Sequence, residues 1–462
     1  MSGFPTIQLG EVTTKVGSGS TPRGGEAAYK STGTPLIRSM NVHFGGFRED
    51  GLAYIDDDQA AALRNVEVRA RDVLLNITGA SIGRVTIAPP HMDGARVNQH
   101  VCIIRPDDRL EPSFLRWFLA SPHQQRLINS MESGATRQAL TKEKILAFEV
   151  PLPSLEEQRE IVAELEKQFS RLDEAVANLQ RVKANLKRYK ASVLKAAVEG
   201  RLVETEATLA RREGRTYETG EQLLQRILEE RRRSWKGRGN YANPIPVADI
   251  VDSPLPEGWS SSTLESVTDS NRVICYGILM PKDNVDDGVL FVKVRDMRGD
   301  SVDLNALHKT SYEIAAKYAR ASLKTGDILL SIRGTYGRVA VVPPLLDGGN
   351  ITQDTARIAV SHECNPEFVA VFLRSEDAQR YFKRVARGVA VKGVNIGDVR
   401  PMPIPIPPLA EQNRIVAEVD RHLSIIREVE AEVDTNLQRA QALRQSTLAK
   451  AFSPVPSNQV ET

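Results

Sequence analysis

The chain has 462 residues, 41% hydrophobic and 26% charged, with a formal net charge of +2. This is the composition of an ordinary globular protein with two or three domains, and so small a basic excess permits nucleic-acid binding without demanding it, since a self-sufficient binder usually carries a stronger one. No apolar run approaches the roughly 20 residues that span a bilayer, and Met1-Ser-Gly-Phe-Pro5 does not read as a signal peptide. No membrane association and a cytoplasmic location are therefore expected. Cys102, Cys275 and Cys364 lie far apart without a Cys-x-x-Cys pair, so buried free thiols are expected rather than a disulfide framework or a zinc site.

Residues 1–150 read as α+β. Short β-branched runs at Pro35–Arg38, Asp72–Ile77, Arg84–Ile87 and His100–Ile104 are separated by Gly, Pro and Asp turn signals. One helix is expected over Pro112–Met131, where Phe114, Leu115, Phe118, Leu119 and Leu127 recur at helical spacing. The pattern then changes. Pro151 and Pro153 bar a helix from starting earlier, and Ser154-x-x-Glu157 is a capping box. From there Leu165, Leu172, Leu179, Leu186 and Val193 repeat every heptad, with Val162, Phe169 and Val176 as the second apolar position, until Gly200 stops the helix. At about 1.5 Å per residue such a helix is roughly 65 Å long. A connector follows over 201–254. It carries a further helix candidate, Thr219–Trp235, opened by Thr219-x-x-Gln222, and the basic clusters Arg231–Arg233 and Lys236–Arg238, which read as a solvated helix end, with contact to a nucleic-acid backbone as the alternative.

The chain then repeats itself about 254 residues on. Pro151-Leu-Pro-Ser-Leu-Glu-Glu-Gln-Arg-Glu-Ile-Val162 returns as Pro405-Ile-Pro-Pro-Leu-Ala-Glu-Gln-Asn-Arg-Ile-Val416. Arg71–Gly79 returns one residue out of step within Thr325–Gly334, and Gly83-Arg84, Pro89-Pro90 and Gln99 return as Gly337-Arg338, Pro343-Pro344 and Gln353. Pro366–Val385 is the counterpart helix, and Val419, Ile426, Val433, Ala440 and Thr447 continue the same heptad register beside Val416, Leu423 and Leu437. A period this long is a duplicated domain, not a solenoid repeat. Each long helix has one apolar stripe, so each is the natural partner of the other. A 150-residue domain, roughly 30–40 Å across, cannot easily return the chain to the far end of the rod, so an antiparallel pair is expected. The fold class is α+β: two recognition domains at 1–150 and 255–404, joined by antiparallel coiled-coil helices at 151–200 and 405–452 with pseudo-two-fold repetition. The connector at 201–254 and a tail at 453–462 complete the chain.

Enzyme signatures do not stand out. Gly17–Gly25 is glycine-rich but lacks the lysine of a phosphate loop. The three Pro-Pro pairs continue as His91, Leu345 and Leu409, none of them the aromatic that an amino-methyltransferase motif requires. His43, His91, His100 and His123 are scattered, and the residue matching His100 in the second copy is Asp354. Differences at matched positions suit two domains that recognise different things.

These residues resemble the specificity (S) subunit of type I restriction-modification systems over essentially the full length. The paired Pro-x-Pro-x-Leu-x-Glu-Gln segments carry the resemblance. Leu194-Lys-Ala-Ala-Val-Glu-Gly-Arg-Leu-Val203, Leu255-Pro-Glu-Gly-Trp259, Thr78-Gly-Ala-Ser-Ile-Gly83 and Arg333-Gly-Thr-Tyr-Gly337 add to it. One departure is that the Leu-Pro-Glu-Gly-Trp opening is degenerate in domain one, which begins Met1-Ser-Gly-Phe-Pro5. The resemblance implies a non-catalytic chain reading an asymmetric bipartite target in double-stranded DNA, one half per domain, with the coiled coil as a ruler. Expected partners are two methyltransferase (M) and two restriction (R) subunits. No cofactor is expected on this chain; S-adenosylmethionine, ATP and Mg²⁺ belong to the partners. A coiled-coil scaffold and a stand-alone DNA-modifying enzyme are the competing readings.

Candidate DNA contacts are polar residues in or beside the glycine turns: Arg38, Asn41, Thr78, Ser81 and Arg84 in domain one, and Lys293, Arg295, Arg333, Tyr336 and Arg338 in domain two. Gln99 and Gln353 recur at matched sites. With the Arg84/Arg338 pair they are better suited to holding backbone or fold, since repeated residues cannot distinguish different half-sites. Arg137 and Lys392 lie in matched loops, Gly134–Leu140 and Gly388–Val394, and are placed to approach phosphate.

Overall fold

The computed structural model describes residues 4–22, 24–131, 139–237, 239–246, 254–388 and 391–452. It divides into one unit of residues 1–181 with 433–462 and another of 182–432. The two long helices, Leu155–Val198 and Leu409–Phe452, contribute to both.

The first unit has a four-stranded antiparallel sheet in the order Thr13–Ser18, Val101–Pro106, Val73–Asn76, Val85–Ile87. A smaller sheet of Ala53–Ile55, Thr34–Ile37 and Arg96–Val97 lies beside it in the same unit, and Thr6–Gln8 pairs with Glu149–Pro151. The strand Val73–Asn76 shows why its first three residues are all apolar. Val73 and Leu75 pack into the cluster holding Phe114, Leu115 and Phe118, whereas Leu74 packs into the one holding Leu36 and Val97. Alternating side chains thus face two cores, and neither face meets water.

The second unit repeats this arrangement. Its four-stranded sheet runs Cys275–Tyr276, Thr355–Ile358, Ile328–Ser331, Val339–Val341, and its three-stranded sheet His308–Thr310, Val289–Val292, Asn350–Ile351. Ile328 and Leu330 face Phe368 and Phe372; Leu329 faces Val292 and Ile351. The duplication read from sequence is a duplication of fold.

The Pro112–Met131 helix is two helices, Pro112–Ala120 and Pro122–Ser130. Ser121 is extended at the junction and its side chain caps the second helix by accepting from the Gln124 N–H, while Pro122 supplies the first helical residue. The counterpart breaks in the same way: Ser375 separates Pro366–Arg374 from Glu376–Val385 and accepts from the Ala378 N–H. Apolar spacing alone runs straight through such a capped break.

The repeated Glu-Gln of the long-helix openings has a structural reason. Gln158 is fully buried, accepts from the Glu111 N–H at 2.8 Å and donates to the Pro153 and Arg109 carbonyls, each at 2.9 Å. Gln412 does the same for the Asn365 N–H at 3.0 Å and the Pro407 carbonyl at 2.9 Å. Each amide ties a long helix to the first turn of its domain's helix pair. The preceding glutamates differ. Glu157 is exposed and closes the capping box with Ser154. Glu411 is buried and accepts from Trp259 Nε1 at 2.9 Å and the Glu206 N–H at 2.8 Å. The Trp259 opening is therefore half of a buried lock with Glu411. Burial pushes the Glu411 carboxyl above its ordinary range. Burial acts the same way on Glu206, but Arg414 and Arg215 outweigh it and hold that carboxyl low.

The long helices run antiparallel. In the first unit Phe169 and Asp173 meet Arg444, and Leu165 shares a core with Leu448. In the second, Tyr189 meets His422 at 2.9 Å. The stripe is not evenly buried. Leu165, Phe169 and Val193 are buried, whereas Leu172, Val176, Leu179 and Leu186 are half-buried. Near its ends the first helix is covered by a domain as well as by its partner; a two-helix seam alone leaves the flank of each side chain in water. Gly200 ends the first helix at φ +68°.

The connector forms the helices Glu206–Glu213 and Gly220–Arg233, the second opened by the Thr219/Gln222 capping box. Gly220 lies so close to the strand Pro403–Ile406 that a Cβ would fall 1.9 Å from the Ile406 carbonyl oxygen. The basic helix end is not a simple solvated cluster. Arg231 is buried and donates to the Thr268 carbonyl, and at 3.2 Å to its hydroxyl. Arg232 stacks near Tyr241 and Arg233 pairs with Glu230. Position 231 lies on the same face as the buried Leu223 and Ile227, and helical periodicity carries it inward.

All three cysteines are free and buried. Burial pushes the Cys102 and Cys364 thiols up to about 12, which removes them from thiolate chemistry at neutral pH. Among the described residues no helix is long and apolar enough to cross a membrane, and no group of three or more His, Cys, Asp or Glu side chains is placed to hold a metal ion.

Candidate nucleic-acid interface

In each unit the central strand of the four-stranded sheet ends in a glycine turn. In domain one that turn is Thr78–Gly83, in domain two Arg333–Gly337. Gly83 and Gly337 both have positive φ, and both carbonyls accept from a helix glutamine, Gln125 or Gln379, at 2.9 Å. A Cβ on either glycine would collide with that glutamine's Oε1. The turn is therefore a fixed platform on which side chains can differ.

The side chains on it do differ. In domain one a hydrogen-bonded row crosses the turn. The Thr21 hydroxyl donates to Gln99 Oε1, Gln99 Nε2 lies 3.0 Å from His100 Nε2, and His100 Nδ1 meets the Thr78 hydroxyl. If Gln99 donates, the proton of neutral His100 sits on Nδ1 and points at Thr78. Ser81 accepts from Asn76 at 3.1 Å, and Arg84 is half-buried. Arg38 is anchored by Glu26 at 3.2 Å and the Gly51 carbonyl at 2.6 Å. Asn41 is fully buried, accepting from the Arg38 N–H and donating to the Arg48 carbonyl, each at 2.9 Å. Its side chain is committed to its own turn. Arg137 lies outside the described residues.

Domain two builds an open cavity of about 750 Å³ at the equivalent place. It gathers Arg295, Arg333, Arg338 and Asp354 from the sequence-derived candidates or their matched positions, and adds Arg387 and Asn395. Four guanidiniums around one carboxylate make it cationic. Arg338 is structural: its Nη1 donates to the Val294 and Met297 carbonyls at 3.0 and 2.9 Å. Lys293 and Arg295 flank His308 at 3.1 and 3.2 Å, and burial, with Arg295 nearby, lowers the Lys293 pKa. Arg387 lies 3.4 Å from Asp398. Arg333 is exposed at the mouth. Tyr336 is half-buried against the core, Gln353 is half-buried, and Lys392 is exposed, its carbonyl accepting from the Gly334 N–H at 3.2 Å. Arg387 was missed from sequence although it directly precedes Gly388, the signal that could have found it. It joins the site through its bridge with Gly393.

Comparison with known proteins agrees with this architecture. The family model described as type I restriction modification DNA specificity domain matches residues 1–187 and 256–436. The type I restriction enzyme EcoBI specificity subunit of Escherichia coli is 28% identical over 425 residues, covering 92% of this chain and 80% of the relative. The EcoKI specificity subunit of Escherichia coli strain K12 is 22% identical, covering 90% and 81%. In fold the chain is similar to a solved chain from a study of complex assembly and conformational transition in the type I R-M system. That match has a TM-score of 0.63 at 20% identity and covers 98% of each chain. The HsdS subunit from Thermoanaerobacter tengcongensis aligns with a TM-score of 0.50, also at 20% identity, over 98% of this chain and 97% of the other. With both repeats matched by one family model, this chain belongs to the specificity subunits of type I restriction-modification systems.

Proposed function

We propose that the chain directs a type I complex to an asymmetric bipartite DNA sequence, each domain reading one half. The chain itself is non-catalytic. The antiparallel helices fix the unspecified spacer and dock two M subunits, with two R subunits completing a cytoplasmic assembly. S-adenosylmethionine serves M; ATP and Mg²⁺ serve R.

The observation that carries this reading is the matched pair of glycine turns bearing different side chains on a shared scaffold. Base edges in the major groove differ in donor and acceptor pattern, so two readers of unlike sequence need unlike polar side chains at like positions. Readers on one face of a duplex stand about one helical turn, roughly 34 Å, apart. A rod whose length is set by residue count suits that task. The nearly neutral chain leaves part of the phosphate contact to its partners.

The test is co-expression with the methyltransferase subunit, followed by mapping of methylated adenine across the host genome. The expected result is a split motif with two unlike halves and a constant gap. Methylation by the purified chain without M, or an M–S complex with no sequence preference, would contradict the reading.

A further inference from the structure

The two turns can be compared position by position. The strands Val73–Asn76 and Ile328–Ser331 pair with their neighbours so that Asn76 faces Val101 and Ser331 faces Thr355. This places Thr78 with Arg333 and His100 with Asp354. Backbone bonds confirm the match: the Ile77 N–H donates to the His100 carbonyl at 3.0 Å, and the Ile332 N–H to the Asp354 carbonyl at 2.8 Å. The domain-one pair is closed on itself through the Thr78–His100 contact. The domain-two pair is open. Among the described residues neither the Arg333 guanidinium nor the Asp354 carboxylate makes a hydrogen bond or ion pair, although their backbones touch, with the Arg333 N–H 3.3 Å from the Asp354 carbonyl.

The Arg333 stem is nevertheless held. Arg333 bridges to Gly393, and the Gly334 N–H donates to the Lys392 carbonyl at 3.2 Å. A Cβ on Gly393 would lie 3.2 Å from Arg333 Cγ and 2.9 Å from the Ile332 carbonyl oxygen. The bare glycine is what lets the arginine lie there. Its neighbours in the cavity are otherwise engaged: Arg338 by two carbonyls, Arg295 by His308, Arg387 by Asp398.

We propose that Arg333 is the specificity-determining side chain of domain two and that it selects guanine, with Asp354 accepting from an exocyclic base amino group. This rests on the proposed DNA-reading function. A guanidinium fork donates to guanine O6 and N7 together, the commonest specific contact in the major groove, and a carboxylate accepts from cytosine N4. Thr78 and His100 hold the same place in domain one with different chemistry, so the two halves of the target differ there.

The test uses the M–S complex and duplexes in which each position of the target is changed to every base pair in turn. The wild-type complex should prefer G at one position of the domain-two half. R333A should lose that preference about 10- to 100-fold while discrimination in the domain-one half is unchanged. R333Q, which keeps the stem against Gly393, should move the preference toward adenine. D354A should relax discrimination at the base pair whose amino group it meets. A folded R333Q complex that still prefers G overturns the assignment, as does R333A weakening every duplex equally with a shallower salt dependence, the mark of a phosphate contact. A wild-type complex blind to sequence would instead sink the DNA-reading function itself.

Discussion

Replacing Phe169 by alanine should destabilise the unit of residues 1–181 and 433–462 by about 3–5 kcal/mol. Phe169 is 3% exposed, its ring centroid is 4.8 Å from that of Trp117, and the Arg444 guanidinium lies 4.6 Å from it. The ring thus sits where the first long helix, the second long helix and the domain-one helix pair share one core. Truncation leaves a cavity that three separate elements must collapse to fill, and it removes the support under Arg444. Urea unfolding followed by circular dichroism measures the loss. A change below about 1 kcal/mol would show that the helices are not anchored there.

Lengthening both long helices by one heptad in matched register should lengthen the gap between the two halves of the target and leave both halves intact. Seven residues keep the apolar stripe turned toward its partner and add about 10 Å. That is about three base pairs of rise. The half-buried middle of the seam, around Leu179, tolerates the insertion better than the buried ends. The half-sites also rotate relative to one another, so affinity falls. The methylated motif of the active complex is the readout; an unchanged gap contradicts the ruler.

Much of this architecture was legible in the sequence because duplication makes it redundant. A capping box, a heptad stripe and a proline boundary each signal weakly, yet together at matched positions they fix the long helices, and loop reach fixes their antiparallel sense. What escaped depends on single side chains turning inward. Ser121 and Ser375 break helices whose apolar spacing continues unbroken. Arg231 belongs to a basic run but falls on the buried face of its helix. Gln158 and Gln412 read as part of a motif, while their role as buried latches needs the chain segment 47 residues upstream of each. The site was half legible for the same reason. The glycine turns mark the platform and repetition marks Arg338 as a holder of the fold, but only tertiary contact separates Asn41, spent on its own turn, from Arg333, held by its stem alone.

The proposed function stands or falls on each domain reading its own half of the target. Its most direct measurement is the methylated motif before and after residues 1–150 are replaced by the corresponding domain of another member of the family, with both long helices and the second domain kept. One half of the motif should change while the other half and the gap persist. A motif whose two halves change together would contradict it.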